Sequence, residues 1–516
     1  MNQAQYFTTP IYYVNDTPHI GHVFSTLLAD IGARTAQLEG NEKFLLTGTD
    51  EHSTKVTDAA QARGLPVETW ARDNAHAFRQ AFGAFTIDFD DFIRTSEPRH
   101  KESVCLRIEQ LMTTGDVYLG EYVGWYDAGQ EEYVPDAKAK QYEYKSPINK
   151  KPLVQRTEKN YFFRLSRYQK PLLTLLETGE LKIHPSSRTA EIIARVRDGL
   201  SDIPISRHSA EAWGINVPGD PSHVVYVWVD ALFNYLTAID NAERRHLWPA
   251  TLQVVGKDIL WFHAVIWPAM LLALKQIDGN EWLSLPRNIL AHGFWIREGE
   301  KMSKSMGNFV GIKDLHKYCG EFGVDGMRFF LASAGPVGAS DADFAQSRLI
   351  ESYNANLANT VGNCFNRVIG MVSRYFDGVV PASAPHASEF IQNIAELSRV
   401  SRERAQAFQY DKMISSALAV FRAIDQHVNL TEPYKLVKQA DNFAQVGHIL
   451  HDCLEALRHG ALLLWPVMPT SMTKLLHSLG CLKDGELPSF IHGRSVSTGC
   501  CITETRVMFP RYQETR

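Results

Sequence analysis

At 516 residues the chain is too long for a single hydrophobic core and predicts roughly two to four domains. Its 45% hydrophobic and 22% charged residues are those of an ordinary globular chain, and no run of about 18 apolar residues offers a membrane span. The net charge of −5 speaks against a protein that coats nucleic acid, and the seven cysteines (105, 319, 364, 453, 481, 500, 501) contain no CxxC pair, which argues against a zinc knuckle or disulfide framework and fits a reducing compartment.

The first element is an apolar strand, Tyr6 to Val14, ending at Pro18 and followed by His19-Ile20-Gly21-His22. A strand, a tight turn with glycine and a helix start offers backbone N–H groups and a positive helix end to phosphate. A second strand, Lys43 to Gly48, delivers Asp50, Glu51 and His52 at its carboxyl end, where open parallel sheets bind ligands. Strands and helices alternate to about Leu111, and from about Gly115 to Asp220 the texture turns to short strands and turns, as in a domain inserted into the first fold. Within it, ten Lys/Arg between Lys138 and Lys170 face only Glu143 and Glu158, a local +8 interleaved with Tyr142, Tyr144, Tyr161, Phe162, Phe163 and Tyr168. Such a stretch tracks a phosphate backbone and stacks bases, or is a solvated loop with its aromatics packed beneath.

Strand patterns return at Val224 to Val229, Leu252 to Val255 and Asn288 to Arg297, with Asp230 and Asp258 just beyond strand ends. After the turn Glu298-Gly299-Glu300 comes Lys301-Met302-Ser303-Lys304-Ser305, a loop whose two lysines suit a polyphosphate gaining negative charge as its bond breaks. From about Gln346 the pattern is helical: Leu349, Tyr353, Leu357, Val361, Cys364, Val368 and Val372 recur at spacings of three and four, and two further helices end at Pro433 and Pro466. The tail after about Gly480 is irregular.

Together the strings at 19–22 and 301–305 match the paired nucleotide-binding motifs of class I aminoacyl-tRNA synthetases, and nearly the whole chain resembles the methionyl-tRNA synthetase family. Thr-Thr-Pro-Ile-Tyr-Tyr-Val-Asn (8–15) is similar to the family's first strand, with Ile11 and Tyr13 at pocket positions. Thr-Gly-Thr-Asp-Glu-His (47–52) resembles the segment whose aspartate, here Asp50, holds the substrate ammonium. Tyr-Val-Trp-Val-Asp-Ala-Leu (226–232) resembles the specificity strand, putting Trp228, Ala231, Leu232 and Tyr235 around the side chain, and Gly-Lys-Asp-Ile-Leu-Trp-Phe-His (256–263) does the same for Asp258, Ile259 and His263. A thioether forms few hydrogen bonds, so shape and sulfur–aromatic contact must select it, which suits these aromatics.

The resemblance implies a class I Rossmann-type α/β parallel-sheet catalytic domain (1–114 and 223–300) split by an inserted connective domain (115–222). A lysine-loop and stem-contact region (301–345) and an all-α anticodon-binding bundle (346–516) follow. It implies ATP-dependent activation of L-methionine to methionyl-adenylate and transfer to tRNA(Met). The expected catalytic groups are His19, Gly21, His22, Lys301 and Lys304, with ATP and Mg²⁺ bound across these and Met302, Ser303 and Ser305. A glycine at 21 would let adenine lie against the backbone. Asn363 and Arg367, four apart on a helix flank, and Tyr434 are the implied anticodon contacts. The chain departs from the family at Ser53, where glycine usually follows the histidine, and at Tyr434, where the family has tryptophan. It also lacks cysteines over 124–135, so no zinc is expected, and no oligomerising domain is appended, so a monomer is expected. Rival readings are a Leu/Ile/Val-type synthetase, whose large editing insert is absent, a small-molecule nucleotidylyltransferase, and a non-catalytic tRNA-binding paralogue. Residues 1–33 hold no Lys or Arg, so no targeting leader is visible; the compact, knuckle-free form resembles mitochondrial members, with the mitochondrial matrix expected and the cytoplasm as the alternative.

Overall fold

The computed structural model describes residues 4–127, 132–134, 136–146, 150–208, 213–297, 299–302, 308–503 and 508–513. Its centre is a parallel sheet of six strands: β1 (Ala4–Tyr13), β2 (Glu42–Asp50), β3 (Asp91–Arg94), β4 (Lys182–His184), β5 (Leu252–Gly256) and β6 (Asn288–His292). They lie in the order β3-β2-β1-β5-β6-β4, every neighbouring pair parallel. The chain order reverses between β1 and β5, which opens a crevice at the carboxyl ends of those two strands. The fold is α/β, with small antiparallel sheets inserted and a helical region after them.

Alternation along the strands divides the core. Phe7, Leu45, Leu252, Val254 and Leu290 face a cluster that continues into the C-terminal helices. Tyr6, Leu46, Val255, Ile289 and Ala291 face a second cluster shared with the inserted segment. Both faces are covered, which is why these strands read as nearly continuous apolar runs. Helix α1 (Ile20–Leu38) follows β1 and lies against the first face. Arg328, in helix α5 (Val324–Ala334), donates to Asp30 of α1 at 2.6 Å.

In the inserted range, Val117–Asp127 pairs antiparallel with Val154–Phe163 from Val117↔Phe163 to Tyr126↔Val154. β4, within residues 115–222, returns to the edge of the parallel sheet. Phe162, Phe163 and Tyr168 of the basic stretch are buried in the core, so they are not available to stack bases. Arg164 lies over the Tyr118 ring and Arg167 pairs with Asp116, which commits part of that charge to the fold.

Two strand expectations are corrected. Val224 to Val229 is not one strand: Asp220–Val225 is the middle strand of a small antiparallel sheet, and Val227–Leu232 is a helix, here α4. A short apolar run fully inside a core does not distinguish strand from helix by periodicity. Asn288 to Arg297 breaks at Gly293-Phe294 into β6 and Trp295–Arg297. The main chain passes so close to its neighbour that a Cβ on Gly293 would lie 2.5 Å from the Ser340 carbonyl oxygen.

The apolar stripe from Leu349 to Val372 is buried throughout. Three successive steps of four residues would drift around a regular 3.6-residue helix; a π-helical stretch, Tyr353–Gly362, keeps them on one face. Helix α6 (Asn363–Phe376) continues it. α7 (Glu389–Gln406), α8 (Tyr410–Thr431) and α9 (Phe443–Leu464) pack beside it, and α8 and α9 stop just before Pro433 and Pro466. Among the described residues no helix or strand follows Ser478.

Candidate active site

The crevice between β1 and β5 is a cleft of about 530 Å³. Its floor begins with the turn from β1 into α1. His19 is the N-cap of α1, its Nδ1 accepting from the Gly21 N–H at 3.0 Å, while His22 Nδ1 accepts from the His19 N–H at 3.3 Å. An imidazole whose Nδ1 accepts a main-chain proton carries its own proton on Nε2. The turn thus fixes both rings, 3.7 Å apart at their centroids, as Nε2–H donors. Burial, and next the neighbouring His19, hold His22 well below the usual histidine range, so it is neutral. Glycine at 21 has a local reason besides the expected adenine contact: a Cβ there would lie 2.9 Å from His19 Cε1.

Residues Phe309 and Val310, which follow the lysine motif, adjoin this turn. Ile20 donates its N–H to the Val310 carbonyl at 3.2 Å, and the Phe309 ring meets His19 edge-on. Lys301 lies in a short strand, Glu300–Lys301, paired with Trp295–Arg297, and Met302 lines the cleft. Ser303, Lys304 and Ser305 lie outside the described residues.

Ile11, Tyr13, Asp50, Trp228, Asp258 and Ile259 also line the cleft. Trp228 stacks on Phe262 at 4.1 Å and meets Tyr13 edge-on at 6.2 Å. Asp50, at the end of β2, is 2% exposed, and its Oδ1 has no hydrogen-bond partner. Burial, and then the charge of Asp230, push its carboxyl well above the usual range. Burial followed by Asp50 likewise raises the Tyr13 phenol.

Four predicted pocket residues do not line the cleft. Ala231, Leu232, Tyr235 and His263 are buried in the core, the layer behind it. His263 Nδ1 donates to the Ile259 carbonyl at 3.0 Å and its Nε2 accepts from the Tyr235 hydroxyl at 2.8 Å. Burial lowers His263 to about 4, so this ring too is neutral.

Of the three residues implied at the anticodon, Asn363 is exposed at the start of α6 and Arg367 is half-buried. Arg367 donates to Asn429 at 2.7 Å and lies 3.6 Å from Asp425, both near the end of α8. Tyr434 follows that end and is 36% exposed. Ser53 caps helix α2 (Thr54–Gln61), accepting from the Lys55 N–H at 3.2 Å, so serine has a structural use where glycine is usual.

Two groups escaped the sequence reading. Ser25, one turn after His22, donates to His292 Nε2 at 2.7 Å across the cleft; His292 Nδ1 is committed to the Gly293 carbonyl. Behind Asp50, the buried Asp230 carboxylate is held at 2.7 Å by both His52 Nδ1 and His100 Nε2. His52 and Asp230 each lay in a motif; His100 sits on α3 (Pro98–Thr113), with nothing in its neighbourhood to mark it.

Comparison with known proteins bears on this geometry. The family profile described as "tRNA synthetases class I (M)" matches residues 5–142 and 140–369. A methionine–tRNA ligase of Rickettsia bellii is 37% identical over 525 residues, covering 100% of both chains, and one of Rickettsia felis is 36% identical over 99% of each. The structure of Mycobacterium tuberculosis methionyl-tRNA synthetase in complex with methionyl-adenylate superposes with a TM-score of 0.87 at 34% identity, covering 99% of this chain and 100% of that one. Its apo form gives 0.83 at 31% identity, covering 100% and 99%. The fold and cleft are those of a class I aminoacyl-tRNA synthetase. Within that class, the chain belongs to the (M) family, the methionine–tRNA ligases. These relatives are bacterial, and nothing in the comparisons supports the mitochondrial location. Among the described residues no helix is long and apolar enough to cross a membrane, and no three His, Cys, Asp or Glu gather as metal ligands.

Proposed function

We propose that this cleft carries out the methionine–tRNA ligase reaction, with the residues divided between its two ends. A methionine carboxylate oxygen attacks the α-phosphorus of ATP, the bond from that phosphorus to the bridging oxygen of pyrophosphate breaks, and methionyl-adenylate forms. The 3′-terminal adenosine of tRNA(Met) then takes the methionyl group and AMP leaves. The observation that carries this reading is one cleft lined both by two imidazoles fixed as Nε2–H donors at the phosphate-favouring helix start and by a buried carboxylate, Asp50, with an oxygen that has no partner. The donors stabilise charge on the phosphates in the transition state; Gly21, Met302, Ser303 and Ser305 are assigned to ATP binding, and Lys301 and Lys304 to neutralising the phosphate charge. Asp50 receives the ammonium. Ile11, Tyr13, Trp228, Asp258 and Ile259 surround the rest of methionine, and Ala231, Leu232, Tyr235 and His263 fix that wall from behind.

ATP enters as its Mg²⁺ complex. Mg²⁺ keeps several waters and binds through phosphates and one or two carboxylates, which a cleft with Asp16 and Asp258 on its wall accommodates. The adenylate named in the Mycobacterium tuberculosis complex is the intermediate this scheme requires. Asn363, Arg367 and Tyr434 contact the anticodon, and the chain acts as a monomer without zinc.

The test is ATP–pyrophosphate exchange with each of the twenty amino acids. Methionine is expected to support exchange far better than leucine, isoleucine or valine; equal exchange with leucine overturns the substrate assignment. Homocysteine leaks through, since one methyl in an apolar pocket discriminates by only about 1–3 kcal/mol.

A further inference from the structure

The buried cluster behind Asp50 has an arrangement that packing alone does not explain. Asp230 is 1% exposed, on α4 two residues after Trp228. Its two oxygens accept from His52 Nδ1, on the loop after β2, and from His100 Nε2, on α3, each at 2.7 Å. His100 Nδ1 is in turn 3.1 Å from the Thr237 hydroxyl. Three segments distant in sequence therefore meet on one carboxylate. No lysine or arginine among the described residues pairs with it.

His52 also links this carboxylate to the cleft. Its backbone N–H faces the Asp50 carboxylate while its ring holds Asp230, and its own Nε2 is buried without a partner. Trp213 packs edge-on to that ring at 5.4 Å and donates its indole N–H to the Glu51 carbonyl. The intervening Glu51 is matched by a bidentate Arg94 at 2.7 and 3.0 Å. Asp50 and Asp230 are the two carboxylates here without a lysine or arginine partner. Burial alone would keep Asp230 protonated, but the hydrogen bonds from His100 and His52 bring it down to about 2, so it stays anionic. A negative charge kept inside a protein calls for a cationic counterpart.

We propose that Asp230 is a positioning residue for the methionine ammonium: clamped by His52 and His100, it holds the Asp50 end of the cleft and adds a second buried negative charge that a cationic amino group offsets. Asp230 does not touch the substrate. The proposal rests on Asp50 as the ammonium ligand and assigns selectivity for the charged amino group to the pair rather than to Asp50 alone.

The experiment compares methionine with 4-methylthiobutanoate, which keeps the thioether and carboxylate but lacks the amine. Methionine KM is taken from pyrophosphate exchange, and the des-amino acid is measured as a competitive inhibitor of that exchange. Asp230→Asn is expected to weaken methionine on the order of tenfold, the scale of one charge removed at roughly 12 Å in a medium of effective dielectric about 20. The des-amino acid, itself an anion, is expected to bind as well as before or better. Loss of a purely structural support would weaken both ligands alike, and that result overturns the proposal. His52→Ala reads the same ratio should Asp230→Asn not fold, and is expected to shift it in the same direction. His52→Asn, whose amide can donate where Nδ1 does, is expected to recover most of it; no recovery counts against the clamp. Asp50→Asn separates the two readings. If it leaves methionine KM unchanged, the ammonium role of Asp50 falls and this proposal with it; if it raises KM while Asp230→Asn affects both ligands equally, only this proposal falls.

Discussion

Arg328 donates a 2.6 Å hydrogen bond to Asp30, joining α5 (Val324–Ala334) to the helix that begins at His19. The guanidinium is fully buried and also donates to the carbonyls of Phe85, Pro466 and Val467, so one side chain links α1 to the residues that follow α9. Burial would raise the Asp30 carboxyl, but Arg328 and then Arg34 hold it below its ordinary value. Arg328→Met is expected to destabilise the fold by roughly 3–5 kcal/mol, measured by denaturant unfolding, because it leaves a buried charge and three carbonyls short of a donor. The sign with pH follows from the lowered carboxyl. Its contribution is full above the unfolded value, about 3.9, and is lost as pH falls through the folded value. The variant should lose less further stability across that acid range than the parent.

His22→Ala and Lys304→Ala are each expected to lower kcat for adenylate formation by roughly 10²–10³-fold with little change in methionine KM, since both are assigned to charge that develops in the transition state. Pyrophosphate exchange under saturating ATP and methionine checks this. A Lys304→Ala variant that raised only the KM for ATP would instead mark the lysine as a ground-state phosphate holder.

Asp50 must be ionised to hold an ammonium, and burial followed by the charge of Asp230 raises its carboxyl. Methionine affinity of the free enzyme should therefore fall as pH is lowered, beginning above the ordinary carboxylate value of about 4. Methionine KM measured across this range should show that limb in the parent, and Asp50→Ala should show a higher KM without it.

In the anticodon role proposed for it, Tyr434 would offer a smaller ring than tryptophan, and stacking on one base contributes roughly 1–3 kcal/mol. Tyr434→Ala is expected to reduce aminoacylation of tRNA while leaving methionine-dependent exchange intact, and Tyr434→Trp to restore or tighten recognition. Arg367→Ala should resemble the alanine variant. Unchanged charging by Tyr434→Ala would assign the ring to the helix end alone.

Elemental analysis of the purified protein should find no stoichiometric zinc. Residues 115–222 contain no cysteine, so a bound zinc ion would require another ligand set in the insert.

The parts legible in the sequence were those whose chemistry is local. The histidine turn, the strand ends carrying Asp50 and Asp258, and the apolar stripe from Leu349 to Val372 each depend on residues a few positions apart, where backbone geometry alone sets the relationship. The run from Val224 to Val229 was read as strand because its apolar residues serve either element, and only packing against α3 and the loop after β2 decides for helix from Val227 onward. The same packing puts Tyr235 and His263 behind the cleft rather than on its wall.

By itself the sequence determined the class of fold, the two motif loops and their order along the chain, because a strand, a glycine turn and a helix start are specified by neighbouring residues. Only the tertiary structure decided which distant groups share a charge. Asp230 finds His52 and His100 from positions 178 and 130 residues away, and Arg328 finds Asp30 across 298. Such pairings are set by the burial of three or more elements against each other, where an ionised side chain must meet a donor or the elements do not pack.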